Sequence, residues 1–189
     1  GRAGASVRDT LPTMGVRLAM AVLAVGLGAT SRAAAAEPTE AELKAEMVER
    51  FTRFIDWNPD DLPPDELFLC VVGESPLTRP LEKIARARKI KDRRATVRVV
   101  DAPATVDCHI VVIGGNDRKR LAAVVARTEG HGILTIADAP GAAAAGAIIN
   151  FYLDAKHVRF EINTRAARDS GLKVRAKLLR LARVVGGKS

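Results

Sequence analysis

Chemistry-bearing residues are scarce in this chain. It has two cysteines and three histidines, and past residue 36 its serines are Ser75, Ser170 and Ser189. None of these serines sits in a G-x-S-x-G setting, which would raise a nucleophile on a strand-to-helix turn. His109, His131 and His157 lie far apart, with no H-x-H or H-E-x-x-H pairing to build a zinc site. Neither cysteine belongs to a C-x-x-C motif. Asp101, Asp107 and Asp138 stand near strand ends, but no spacing selects an acid–base pair, and helix capping accounts for each. Gly73-Glu-Ser-Pro76 and Gly114-Gly115 follow apolar runs, where nucleotide folds hold phosphates. Both lack G-x-G-x-x-G and the lysine-bearing phosphate loop, so tight strand-to-helix turns explain them. We expect no enzymatic activity, no cofactor and no metal.

A membrane-spanning run is also missing. Leu18 to Ala29 is apolar throughout, but twelve residues fall short of a bilayer, which needs roughly 20. The run follows Met14 and Arg17 and precedes Ala34-x-Ala36, the order of a secretory signal peptide. Residues 14–36 are therefore expected to be removed, and residues 1–13 to lie upstream of the structural unit. A buried helix is the other reading of the run, and the turn to polar composition at Glu37-Pro38 opposes it. Residues 37–189 are expected to form a single domain, exported to a Gram-negative periplasm or secreted. Setting aside Arg2, Arg8, Arg17, Arg32 and Asp9 lowers the formal charge from +8 to +5.

What is present reads as alternating strands and helices. Thr39 and Glu42 have capping-box spacing, and Leu43, Met47, Val48, Phe51, Phe54 and Ile55 continue as a helical stripe towards Trp57. A strand over 67–72 leads to Ser75, an N-cap for a helix with Pro76 at its first position, reaching about Arg88. Strands over 95–100, 109–113 and 132–137 follow, with a helix near 117–128. This order predicts an α/β fold with a mostly parallel sheet flanked by helices. Leu153 to His157 joins two antiparallel strands, a hairpin, and residues 165–185 make a closing helical region interrupted near Gly171.

Cys70 and Cys108 both lie in runs that read as buried strands. Neighbouring strands would bring them within disulfide reach; otherwise they are two buried free thiols. Export favours the disulfide. Arg86 to Arg94 holds six basic residues in nine positions. No aromatic residue stands nearby in sequence, so a solvated loop is expected rather than a nucleic-acid patch, with anionic lipid contact as the functional alternative. Val158, Phe160 and Ile162 alternate with Arg159, Glu161 and Asn163, which suggests an exposed edge strand. The basic face of the last helix includes Lys177. Arg159, Glu161, Asn163 and Lys177 are the candidate contacts for a partner or a second copy.

Five blocks in this order resemble the YfiR-like family: Phe51 to Trp57; Leu69 to Pro76; Cys108 to Ile113; Gly132 to Asp138; and Ala147 to Val185 with its hairpin. The resemblance covers about residues 41–186. It implies a periplasmic α/β protein, often dimeric, that represses an inner-membrane diguanylate cyclase through the cyclase's periplasmic sensor region. It also implies that Cys70 and Cys108 are the family's core disulfide pair. Three features depart from the family: Ala142 to Ala145 stands where some members have a second cysteine pair, Trp57-Asn58-Pro59 replaces Trp-Pro, and the closing helix has basic Lys173 and Arg175 where many relatives are small and polar. The expected function is thus regulatory binding of an inner-membrane signalling protein in cyclic-di-GMP control. The alternative is a periplasmic small-ligand or sensor module, using the strand ends near Gly73 and Gly114, that works with another membrane receptor.

Overall fold

The computed structural model describes residues 37–187, so the readings made on residues 1–36 lie outside the described residues. The first helix, α1 (Glu40–Thr52), begins where its capping box directs: Thr39 accepts from the Glu42 amide, and the Glu42 carboxylate accepts from the Thr39 amide. Such a cap contributes about 1 kcal/mol. The helix stops earlier than the apolar stripe suggests. Ile55–Asp56 forms a short strand, β1, that pairs with β8 (Lys173–Val174), and this pairing withdraws Ile55 from the helix.

Seven further strands make one sheet: β2 (Glu66–Val72), β3 (Arg94–Val100), β4 (Ile110–Ile113), β5 (Leu134–Ala137), β6 (Ile149–Asp154), β7 (His157–Asn163) and β9 (Arg183–Val185). Their order is β3-β2-β4-β5-β6-β7-β9. The first five are mutually parallel, and β7 returns antiparallel to β6. The fold is the predicted α/β architecture with its C-terminal hairpin. The hairpin turn is Ala155-Lys156, with both residues at positive φ (45° and 70°), the two-residue geometry that matches strand twist.

Alternation along the strands builds two cores. Leu69, Val71, Ile110, Val112, Leu134 and Ile136 face α1 and α2 (Thr78–Ala87), while Cys70, Val72, Val111 and Ile113 face α3 (Arg118–Thr128). On the first side Phe51 packs between Phe151 and Phe160, with ring centroids 5.7 and 4.7 Å away. Burying one such ring stabilises the fold by a few kcal/mol. Lys44 enters the same region with only 4% of its surface exposed. It ion-pairs with Glu40 and Asp138, both at 2.6 Å, tying α1 to the end of β5. Burial opposes its charge, but the two carboxylates outweigh that, so its pKa lies above the ordinary lysine value.

Two local expectations shift. Ser75 does not N-cap α2: the helix starts at Thr78, and Ser75 Oγ instead accepts from the Leu77 amide at 3.2 Å, shaping the approach turn. The closing helical region is also shorter than its stripe. It contains α4 (Thr164–Asp169) and a single turn, α5 (Ala176–Leu179), after which Arg183–Val185 becomes β9.

Candidate interaction surfaces

The disulfide is formed. Cys70 lies in β2 and Cys108 just before the neighbouring β4, with Cα atoms 6.0 Å apart and a sequence separation of 38. Residue exposures of 0% and 4% bury the bond beneath α3. No thiol remains for nucleophilic or metal chemistry.

The hairpin's α3-side face is polar. Register places Asn150 beside Glu161 and Tyr152 beside Arg159. Glu161 is buried and accepts from Asn150 Nδ2 at 3.1 Å and from Arg183 Nε at 3.0 Å. The Arg183 guanidinium lies 4.2 Å from the Tyr152 ring centre. Asn163 is buried too: it accepts from the Ala166 amide at 2.9 Å, capping α4, and donates to the Ala143 carbonyl at 2.7 Å. Of the four contacts expected from sequence, Arg159 and Lys177 are therefore exposed, whereas Glu161 and Asn163 hold the interior of the hairpin together. The open edge expected at β7 is covered only at its end, where β9 pairs with Glu161 to Asn163. The basic-apolar stretch Arg183-Val-Val reads as a helix tail in isolation, and only the fold reveals it as a strand.

Between α1 and the 176–182 segment lies a groove of about 730 Å³, with Met47, Phe54, Phe160, Leu178 and Leu181 among its apolar walls. Leu181 is 69% exposed, and Lys177 lies 5.8 Å from the Phe54 ring centre. One rim is a charge network: buried Glu49 accepts from Arg53 at 2.8 and 3.0 Å, with Arg88 at 3.7 Å. Its apolar walls are flanked by two carboxylates, Glu46 and Glu49, both paired with Arg88.

A family model described as YfiR/HmsC-like matches residues 41–183. The chain belongs to the YfiR/HmsC-like family. No curated protein matches it. The match spans α1 through the first residue of β9, so both surfaces just described lie within the family's common region.

Other features of this YfiR/HmsC-like chain resolve into structure. At the carboxyl ends of β2 and β4 the Arg120 guanidinium spans the two glycine turns, donating to the Gly114 carbonyl at 3.0 Å. A Cβ on Gly73 would stand 2.7 Å from that guanidinium, and Gly73 has φ +79°, so the position requires glycine. An open cleft of about 790 Å³ adjoins this point, lined by Glu74, Ser75, Thr78, Asp101 and Arg120. His109 does not stand free: its Nδ1 accepts from the Phe68 amide at 2.9 Å. Burial, then the nearby Arg93 charge, holds its pKa below the ordinary histidine value. Among the described residues no three His, Cys, Asp or Glu side chains cluster to hold a metal ion, and no helix is long and apolar enough to cross a membrane.

The basic loop is only partly solvated. Lys91 donates to the Ile55 carbonyl at 2.8 Å and lies 5.2 Å from the Trp57 ring centre; Arg88 reaches Glu46 on α1. Arg86, Lys89 and Arg94 remain exposed. The sequence hid two things here. The groove is assembled from segments some 130 residues apart (Met47 and Leu178), and Phe68, remote in sequence, stacks under Arg98 at 3.6 Å. A weak signal for the groove existed in the apolar pair Leu178 and Leu181, three apart.

Proposed function

We propose that this protein is an exported, non-enzymatic regulator that binds the periplasmic sensor region of an inner-membrane signalling protein, a diguanylate cyclase, and holds it inactive. The family match over residues 41–183 carries this reading. The buried disulfide supports it, since such a crosslink suits an oxidising compartment. Differential affinity is the mechanism: a protein that binds the silent conformation of the cyclase more tightly than the active one shifts the population towards silence. Release then permits cyclic-di-GMP synthesis on the other side of the membrane. The proposed contacts are Arg159 on the polar hairpin face and Lys177 with Leu181 at the apolar groove.

The test is in-cell crosslinking of the tagged protein, followed by membrane solubilisation and mass spectrometry. Capture of a diguanylate cyclase, lost when Leu181→Asp and Lys177→Glu are combined, is the expected result. Capture of a different sensor would replace the output while keeping the adaptor role. If no membrane protein is captured and a small molecule co-purifies instead, the ligand-module reading is correct and the cleft beside Arg120 becomes its site.

A further inference from the structure

The outer edge of β3 and the exposed arginines around it have no part in the surfaces above, and they lie at the opposite end of the sheet from β7 and β9. Within the sheet β3 pairs with β2 alone. Its first amide points inward, with Arg94 donating to the Asp65 carbonyl at 3.0 Å. Successive residues of a strand turn their backbone groups to opposite sides. The N–H and C=O groups of Ala95, Val97 and Val99 therefore point outward, and no strand among the described residues meets them.

Sheets ordinarily blunt such an edge by shortness, proline, a bulge or charge. β3 is seven residues long, has no proline, and keeps unbroken register with β2 from Arg94 to Val100. Val99 is 68% exposed. Charge is the remaining device, and on the strand it has one sign: Arg94 and Arg98 are exposed, with no acid between them. Arg86 at the end of α2 pairs with Glu82 at 3.6 Å, and Lys89 follows that helix. The acids nearest the strand in sequence and register are Glu66 beside Arg94, Asp92 in the preceding turn and Asp101 past the strand. Arg98 is held flat over Phe68, which in turn stacks on His109.

We propose that the β3 edge is a docking strip for an acidic, extended segment of another protein, which adds to the sheet as a further strand. Main-chain groups of that segment pair with Ala95, Val97 and Val99, while its carboxylates stand beside Arg94 and Arg98 on one face. Its alternate residues, β-branched and apolar, extend the opposite face beside Val97 and Val99. A second copy of β3 brings arginines to the same strip and is disfavoured by charge.

The probe is a capped peptide of alternating glutamate and valine, seven residues long, with an alternating lysine–valine peptide as control. Binding to the protein is followed by NMR and amide hydrogen exchange. The expected result is slowed exchange at Ala95, Val97 and Val99 with the glutamate peptide and no binding of the lysine peptide. Val99→Pro removes an outward N–H without breaking a bond to β2, and should weaken binding at least about tenfold. Arg94→Glu combined with Arg98→Glu should do the same, which keeps the test intact should the proline variant fold poorly. Four results would overturn the proposal: no binding, equal binding of the two peptides, protection at another site, or those amides already protected in a β3-paired dimer.

Discussion

Cys108→Ser is the sharpest perturbation of this fold. The bond closes a loop with a sequence separation of 38. The chain-entropy relation makes its loss worth about 4 kcal/mol through the freed denatured state. The substituted site adds little, because the serine hydroxyl has the Ala104 carbonyl, 3.6 Å from the Cys108 sulfur, as acceptor, and the remaining Cys70 thiol is a small apolar group in an apolar pocket. A domain of this size has about 5–15 kcal/mol in all, so the variant should retain its fold with a narrow margin. At about 2–4 °C per kcal/mol, its Tm should fall by roughly 8–16 °C under oxidising conditions. Dithiothreitol should bring the parent protein to the same lowered value once reduction is complete. Reduction itself should be slow in native buffer, because the two residues are 0% and 4% exposed and a reductant must await an opening of the fold. Thermal melts with and without dithiothreitol, alongside a timed thiol assay, measure both quantities. A Tm unchanged by Cys108→Ser, or thiols that appear at once in native buffer, would refute the reasoning.

Phe51→Ala should cost about 3–5 kcal/mol in urea denaturation, since it empties the space between Phe151 and Phe160. Glu161→Gln should cost about 1–3 kcal/mol, discounted because Arg183 is more than half exposed and can turn to water; a double-mutant cycle with Arg183→Ala should recover most of the coupling. Leu181→Asp should leave the Tm within about 1 °C, as expected of an exposed side chain, yet abolish capture of the membrane partner. Lys44 and Lys91 should titrate on opposite sides of the ordinary lysine value of 10.5 when followed by NMR at the ε-carbon. Lys44 has a raised folded pKa, so its stabilisation is fully present below the unfolded value and fades as pH climbs through the folded one. For Lys91, burial lowers the folded pKa, so stability gains as pH rises from that value towards 10.5. Identical titration of the two would contradict the ion-pair geometry.

The parallel core was legible because its strands are apolar on both faces and its helices carry caps or stripes. Cys108 to Ile113 and Leu67 to Val72 could hardly be anything but buried strands. The last part of the chain was less transparent. Arg183 to Val185 has helical spacing with Leu178 and Leu181, and long-range pairing with β7 overrides that local pattern. Glu161 and Asn163 alternate with apolar residues just as surface residues do. Their burial rests on Asn150, Arg183 and Ala143, partners that local sequence does not reveal. Arg159 and Lys177 have no such partners and remain at the surface, where the sequence placed all four.

The segment from Lys173 to Val185 closes two distant parts of the molecule at once. β8 binds β1, whose partner residues Ile55 and Asp56 lie near the start of the described chain, and Arg175 holds Asp56 as well. β9 covers the Glu161–Asn163 end of β7. A chain that emerges residue by residue can assemble the sheet from β2 to β7 early, but α1's anchor strand and the last edge must wait. Ile55 waits for Val174, and until Arg183 to Val185 arrive the Glu161–Asn163 end of β7 offers raw backbone to any passing strand. The groove beside Leu181 is completed late as well, because its walls join Met47 and Phe54 of the first helix region to Leu178 and Leu181 near the end of the chain.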